Sequence, residues 1–234
     1  MNFVQGKQLK KQGKVSRSYY SLFAGLDTNF VEFCERRHRY NMKVVNRKDY
    51  EKVLKIMNLS MESNENCIDV YHKNNWDRMT IHFNEALKDE RVSYTKFFFN
   101  AKEIIDFMKS FIKNEKFEKC YIASLYNEKY KLKLFEDDVC KDIYDEFKRL
   151  LNSLGLKTNT SCAIEMNKEE LLSFCDIISI GAFSGVLEYI IVIPELKIVI
   201  NPHHHMNYLI FSDNKEVLLS KFSVDISGEI DCFY

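Results

Sequence analysis

Three consecutive histidines, His203-His204-His205, follow Asn201-Pro202 and precede Met206-Asn207. Neutral imidazole is the commonest metal ligand among side chains and suits zinc, copper and nickel. On extended backbone alternate side chains share a face, which pairs His203 with His205 and turns His204 away. Two imidazoles do not complete a zinc site. Further ligands would have to come from elsewhere, and Cys34 and His38, four apart on a predicted helix, are the best-spaced pair. The His-x-His motifs of metal hydrolases and cupins carry a further Asp, His or Glu nearby, whereas Met206, Asn207 and Tyr208 follow here. The competing reading is a solvated turn after a proline. The sequence-level expectation is an exposed turn and no cofactor, with zinc or another divalent metal as the alternative.

Other constellations are weaker. Glu188 and the Glu195-x-Lys197 pair match the two acids and lysine that metal-dependent nucleases use to hold Mg²⁺ and stabilise charge. Pro194 interrupts the strand that such a trio needs, and the same acid-x-Lys spacing recurs at Asp213-x-Lys215. No GxSxG, Walker loop or GxGxxG occurs, so catalytic residues are not identifiable and the chain leans away from being an enzyme. Phe97-Phe98-Phe99 reads as strand core rather than a base-stacking platform.

Charge is the second signal. The net charge is zero, yet residues 1–48 hold eleven Lys/Arg against three acids, a surplus that the rest of the chain balances. Lys7, Lys10, Lys11, Lys14 and Arg17 form one cluster and Arg36, Arg37 and Arg39 a second. Such clusters neutralise phosphates without sequence-specific geometry, which makes nucleic acid a candidate partner. The alternative is a solubilising arm followed by a helix end whose dipole favours cations.

These residues must be positioned by a mixed fold. A stripe of Tyr19, Leu22, Phe23, Leu26, Phe30 and Phe33 predicts a helical N-terminal segment, and Asn46 with Asp49 starts a helix burying Tyr50, Val53, Leu54 and Met57. Residues 58–66 read as a polar loop. Strands are expected at 78–83, 92–99, 121–126, 130–135, 161–166 and 224–233, and helices at 101–113, 139–154 and 168–178. Gly155 should end the second of those helices. Asn100, Asn167 and Asp213 each precede a Glu by three positions, as helix N-caps do. The apolar runs 186–193 and 196–200 have no polar alternation and read as central strands buried on both faces. The class is therefore α+β, with a mainly antiparallel sheet and packed helices. The organisation expected is a basic arm with N-terminal helices over 1–58 and an α+β domain over 67–234. The recurring helix starts read first as convergent capping, with two similar strand–helix halves, 67–155 and 156–234, as the alternative.

With 46% hydrophobic residues the chain can bury a sizeable core. No secretory signal and no membrane span stand out, since the run 177–193 contains Glu188 and ends at Pro194. The seven cysteines, with no CxxC, read as reduced thiols of a cytoplasmic protein.

The segment LEYIIVIPELKIVINPHHHMNYLIFSDNKEVLLSKF, Leu187–Phe222, resembles the tail of small bacterial immunity proteins, which neutralise polymorphic toxins. Strand, turn, strand, polar turn, strand and helix follow one another in the same order. The histidines stand where such proteins carry acidic turn residues. The resemblance implies stoichiometric binding of a protein partner in bacterial defence, with no catalytic residues. Three readings stay open: a protein-binding factor, a nucleic-acid-associated protein acting through residues 1–48, and a metal-dependent hydrolase or nuclease at the His203–His205 turn.

Overall fold

A computed structural model describes residues 42–63, 68–72, 76–83, 94–124, 151–152, 154–155, 162–183, 189–222 and 230–233. In chain order the elements are β1 (Lys43–Asn46), α1 (Arg47–Ile56), β2 (Leu59–Ser63), β3 (Ile68–His72), β4 (Asp77–Phe83), α2 (Tyr94–Asn114) and β5 (Cys120–Ser124). They continue with β6 (Cys162–Met166), α3 (Lys168–Phe183), β7 (Tyr189–Ile193), β8 (Ile198–His203), β9 (Asn207–Ser212), α4 (Lys215–Phe222) and β10 (Ile230–Phe233). A short 3-10 turn, Pro194–Leu196, joins β7 to β8.

Eight strands form one sheet in the order β1-β6-β5-β7-β8-β9-β4-β10, and β2 and β3 pair separately. Every pairing is antiparallel. Among the described residues strands and helices mix without parallel βαβ units, which is the α+β class that the sequence predicts.

The sheet is covered on both faces. Tyr189, Ile191, Ile193, Ile198, Ile200, Tyr208 and Ile210 pack with α2, α3 and α4 in one core. Ile190, Val192 and Val199 join Tyr121, Ala123 and Ala163 beneath Tyr50, Leu54 and Met57 of the α1 region in another. Because neighbours in a strand point to opposite faces, a strand buried on both sides needs an unbroken apolar run. Every residue of β7 is buried, as the run of isoleucines and valine requires. Residues 43–46 pair with β6 while α1 lies over the sheet, so both belong to the same body as the C-terminal strands.

Helix starts follow local chemistry. Asn46 Oδ1 accepts from the Asp49 N–H at 3.0 Å and opens α1. At α3, Asn167 Oδ1 accepts from the Glu170 N–H at 2.9 Å while Glu170 accepts from the Asn167 N–H at 2.8 Å, a reciprocal capping box. Gly155, at φ +70°, gives its N–H to the Asn152 carbonyl at 3.0 Å and ends a helix, as expected.

Four expectations need correction. Residues 94–99 are helical, not strand: α2 extends upstream of its buried face of Ile104, Ile105, Met108 and Ile112. Extending an existing helix adds a hydrogen bond per residue fixed, which outweighs the modest strand preference of Phe97–Phe99. Asn100 is accordingly inside α2 and buried, not a cap. The cap of α4 is Asn214, whose Oδ1 accepts from Glu216 and Val217 N–H, whereas Asp213 pairs with Lys197 at 2.9 Å. Residues 59–63 are a strand despite their polar sequence, because the pairing Leu59↔His72 to Ser63↔Ile68 is made by backbone groups.

Polar ties fasten the layers. The Lys109 ammonium pairs with the Asp176 carboxylate across α2 and α3, and Lys221 of α4 pairs with Glu115. Both Glu195 oxygens accept from the Glu118 N–H, at 2.9 and 3.1 Å, and Oε1 accepts from the Lys119 N–H at 3.2 Å.

Candidate metal centre

The β8 and β9 strands are joined by His204, His205 and Met206. His203 and Asn207 form the last pair of the ladder. The Met206 N–H closes on the His203 carbonyl at 3.0 Å, and Met206 takes φ +55°. A tight turn followed by one left-handed residue is a standard three-residue hairpin loop. Glycine is the usual occupant of the last position. Methionine is held there because its side chain is buried in the helix-covered core, where Tyr208 also points.

His203 faces the other way. Val199, Asn201 and His203 alternate along β8, and Val199 belongs to the α1-side core. The two turn residues fold back over it. Ring centroids lie 4.0 Å apart for His203–His204, 4.7 Å for His203–His205 and 4.4 Å for His204–His205. One donor atom from each imidazole falls within 4.8 Å of the other two. His203 is half-buried, and His204 and His205 are exposed.

Imidazoles crowded together oppose one another's protonation. Burial first, then repulsion from His204 and His205, pushes the His203 imidazolium pKa down from 6.5 to about 4. The His205 N–H donates weakly to His203 Nδ1 at 3.4 Å. Across the ladder, Asn207 is only 8% exposed. Its Oδ1 makes no hydrogen bond of ordinary geometry, although the amide lies close enough to favour imidazolium slightly.

No protein-family model, curated protein or solved structure matches the chain.

The structure brings His203 and His205 together and adds His204, which alternation along a strand had excluded. The period of two applies only while the backbone stays extended, and here it turns at His204. The sequence places the histidines on a turn, but not the fold-back that gathers all three rings. Cys34 and His38 lie outside the described residues, as do Lys7, Lys10, Lys11, Lys14, Arg17, Arg36, Arg37 and Arg39.

Two members of the nuclease-like trio are engaged by other groups of the fold. Glu195 is engaged by two backbone N–H groups, Lys197 pairs with Asp213, and Glu188 lies outside the described residues. Cys120 and Cys175 are buried free thiols. Burial raises both pKa values, that of Cys175 to about 12, which leaves neither thiol a ready nucleophile. Among the described residues no helix is long and apolar enough to cross a membrane.

Proposed function

We propose that this protein binds a divalent transition-metal ion, zinc or a neighbour of similar ligand preference, at the β8–β9 turn. The observation that carries the reading is the convergence of three imidazole donor atoms within 4.8 Å. Neutral imidazole is the ligating form, and the depressed pKa of His203 keeps it neutral at physiological pH. Three imidazoles fill three positions of a tetrahedral ion and leave one for water or another ligand. That donor set is compatible with metal-assisted hydrolysis, the third of the sequence readings. Zinc titration of tag-free protein by calorimetry, with elemental analysis of the product, tests it. One equivalent bound by the wild type and lost in His203→Gln and His204→Gln is the expected result. Failure of the wild type to bind zinc, nickel or copper at micromolar protein would sink the reading.

Partner binding is a second reading. The order β7, 3-10 turn, β8, histidine turn, β9 and α4 has the strand–turn–strand–turn–strand–helix layout on which the resemblance to immunity proteins rests. Affinity capture from bacterial lysate with mass identification tests it. A stoichiometric toxin domain is the supporting outcome, and no reproducible partner counts against it.

A further inference from the structure

From Ile198 to Ser212 the β8–β9 hairpin reads IVINPHHHMNYLIFS, without one Asp, Glu, Lys or Arg. Imidazole ligates in its neutral form, so three of them add no charge to the ion they hold. Zinc, nickel or copper on this turn keeps its full double positive charge, and no acidic side chain of the hairpin offsets it. Thiolate or carboxylate ligands would have cancelled part of that charge. A bound cation is often the largest local charge in a site and governs what else binds there. The fourth position on the ion is accordingly a place for an anion.

Access and a second contact select the kind of anion. His204 and His205 are exposed and His203 is half-buried, so an ion among them is reached from outside. Val199, Asn201 and His203 occupy alternate positions of β8, and Val199 belongs to the α1-side core. Asn201 therefore shares the face of His203, about 7 Å away along the strand. It is half-buried, and its side-chain amide is a hydrogen-bond donor one strand repeat from the ion. An anion with several oxygens can use both groups, one oxygen on the ion and another on the amide. Phosphate and carboxylate have that shape, and chloride does not.

We propose that the metal-loaded turn is a receptor for an oxyanion, phosphate or carboxylate, which binds the ion through one oxygen and accepts from the Asn201 amide through another. The proposal rests on metal binding at the turn and names the ligand class which that site takes. Asn201 touches the anion and not the metal, so the two binding events separate in a variant.

Cobalt(II) in place of zinc gives a visible spectrum that reports changes in its ligands. Inorganic phosphate, acetate and chloride are titrated into the cobalt-loaded wild type and Asn201→Ala. Saturable shifts with phosphate or acetate at millimolar concentration, weaker by about 10-fold in Asn201→Ala, are the expected result. The ratio of the phosphate and acetate affinities tells which oxyanion the site prefers. Cobalt affinity without added anion should stay within about twofold in Asn201→Ala, which shows that the turn is intact. Chloride, with one atom to offer, should not distinguish the two proteins, and a chloride loss equal to the phosphate loss would overturn the two-point contact. Because a variant can misfold, the wild type is also read alone. A cobalt-loaded wild type whose spectrum is indifferent to both oxyanions would overturn the proposal and leave the metal site standing, as would equal phosphate affinity in the wild type and Asn201→Ala. A wild type that binds neither cobalt nor zinc would remove both.

Discussion

Tyr208 donates its phenolic hydrogen to Ser179 Oγ at 2.6 Å, joining β9 to α3 inside the main core. Both residues are fully buried, and the Cys175 thiol lies 3.9 Å from the Ser179 hydroxyl. A hydrogen bond so placed has no water to replace it. Tyr208→Phe should lower unfolding free energy by about 1–2 kcal/mol, read from urea denaturation. Tyr208 faces away from the histidine turn, so zinc affinity should stay within about twofold of wild type. A large loss of metal binding in this variant would mean that the two faces of β9 are not independent.

Helix caps give a graded test. Asn167→Ala and Asn214→Ala should each cost about 1 kcal/mol, because each removes a side-chain acceptor from orphan N–H groups. Asp213→Ala should cost less, since it removes only an ion pair to an exposed lysine. Equal losses at Asp213 and Asn214 in thermal denaturation would contradict the placement of the cap.

The same two helices show how much of the fold was legible in advance. Asn167 with Glu170 was readable because a capping box is local: both partners lie within one turn. Asp213 was misplaced by one residue because Asp and Asn cap equally well, and only the position of Lys197 on the neighbouring turn draws Asp213 away. Tyr94–Phe99 was misread because an aromatic run has no period of its own, and its helical state is inherited from Ala101 onward. The double burial of Tyr189–Ile193 was plain in sequence. The pairing of β9 with β4 was not, because its partners lie more than 120 positions apart.

Two left-handed residues should respond oppositely to glycine. Lys197, at φ +52°, is exposed, and its pair with Asp213 is a surface interaction. Lys197→Gly relieves about 1 kcal/mol of backbone strain and loses a pair worth at most about that much, so stability should hold or rise slightly. Met206, at φ +55°, is 6% exposed and fills the core beneath the turn. Met206→Gly gains the same relief but opens a cavity, and deleting a buried methionine side chain costs about 2–5 kcal/mol. The cavity wins, and a net loss of at least about 1 kcal/mol is expected by chemical denaturation. Stabilisation in both variants would show that Met206 does not fill the core.

The last prediction concerns pH. His203 titrates near 4 in the folded protein, below the 6.5 of an unperturbed imidazole, chiefly because burial disfavours its charge. Between those two values the unfolded chain holds a proton on His203 that the folded chain does not. Stability must therefore rise with pH across that window, be complete above about 6.5, and fall as pH drops toward 4. The half-exposed ring moderates the size of the effect, so the sign and the window are the prediction. His203→Gln removes the titrating group without adding charge. Its unfolding free energy, measured from pH 4 to pH 7.5 without metal, should change less steeply below 6.5 than that of the wild type. Any constant offset above 6.5 reflects lost packing rather than titration. Parallel curves for the two proteins through the whole range would show that His203 protonates as freely in the fold as out of it, and that the three rings do not crowd one another in solution.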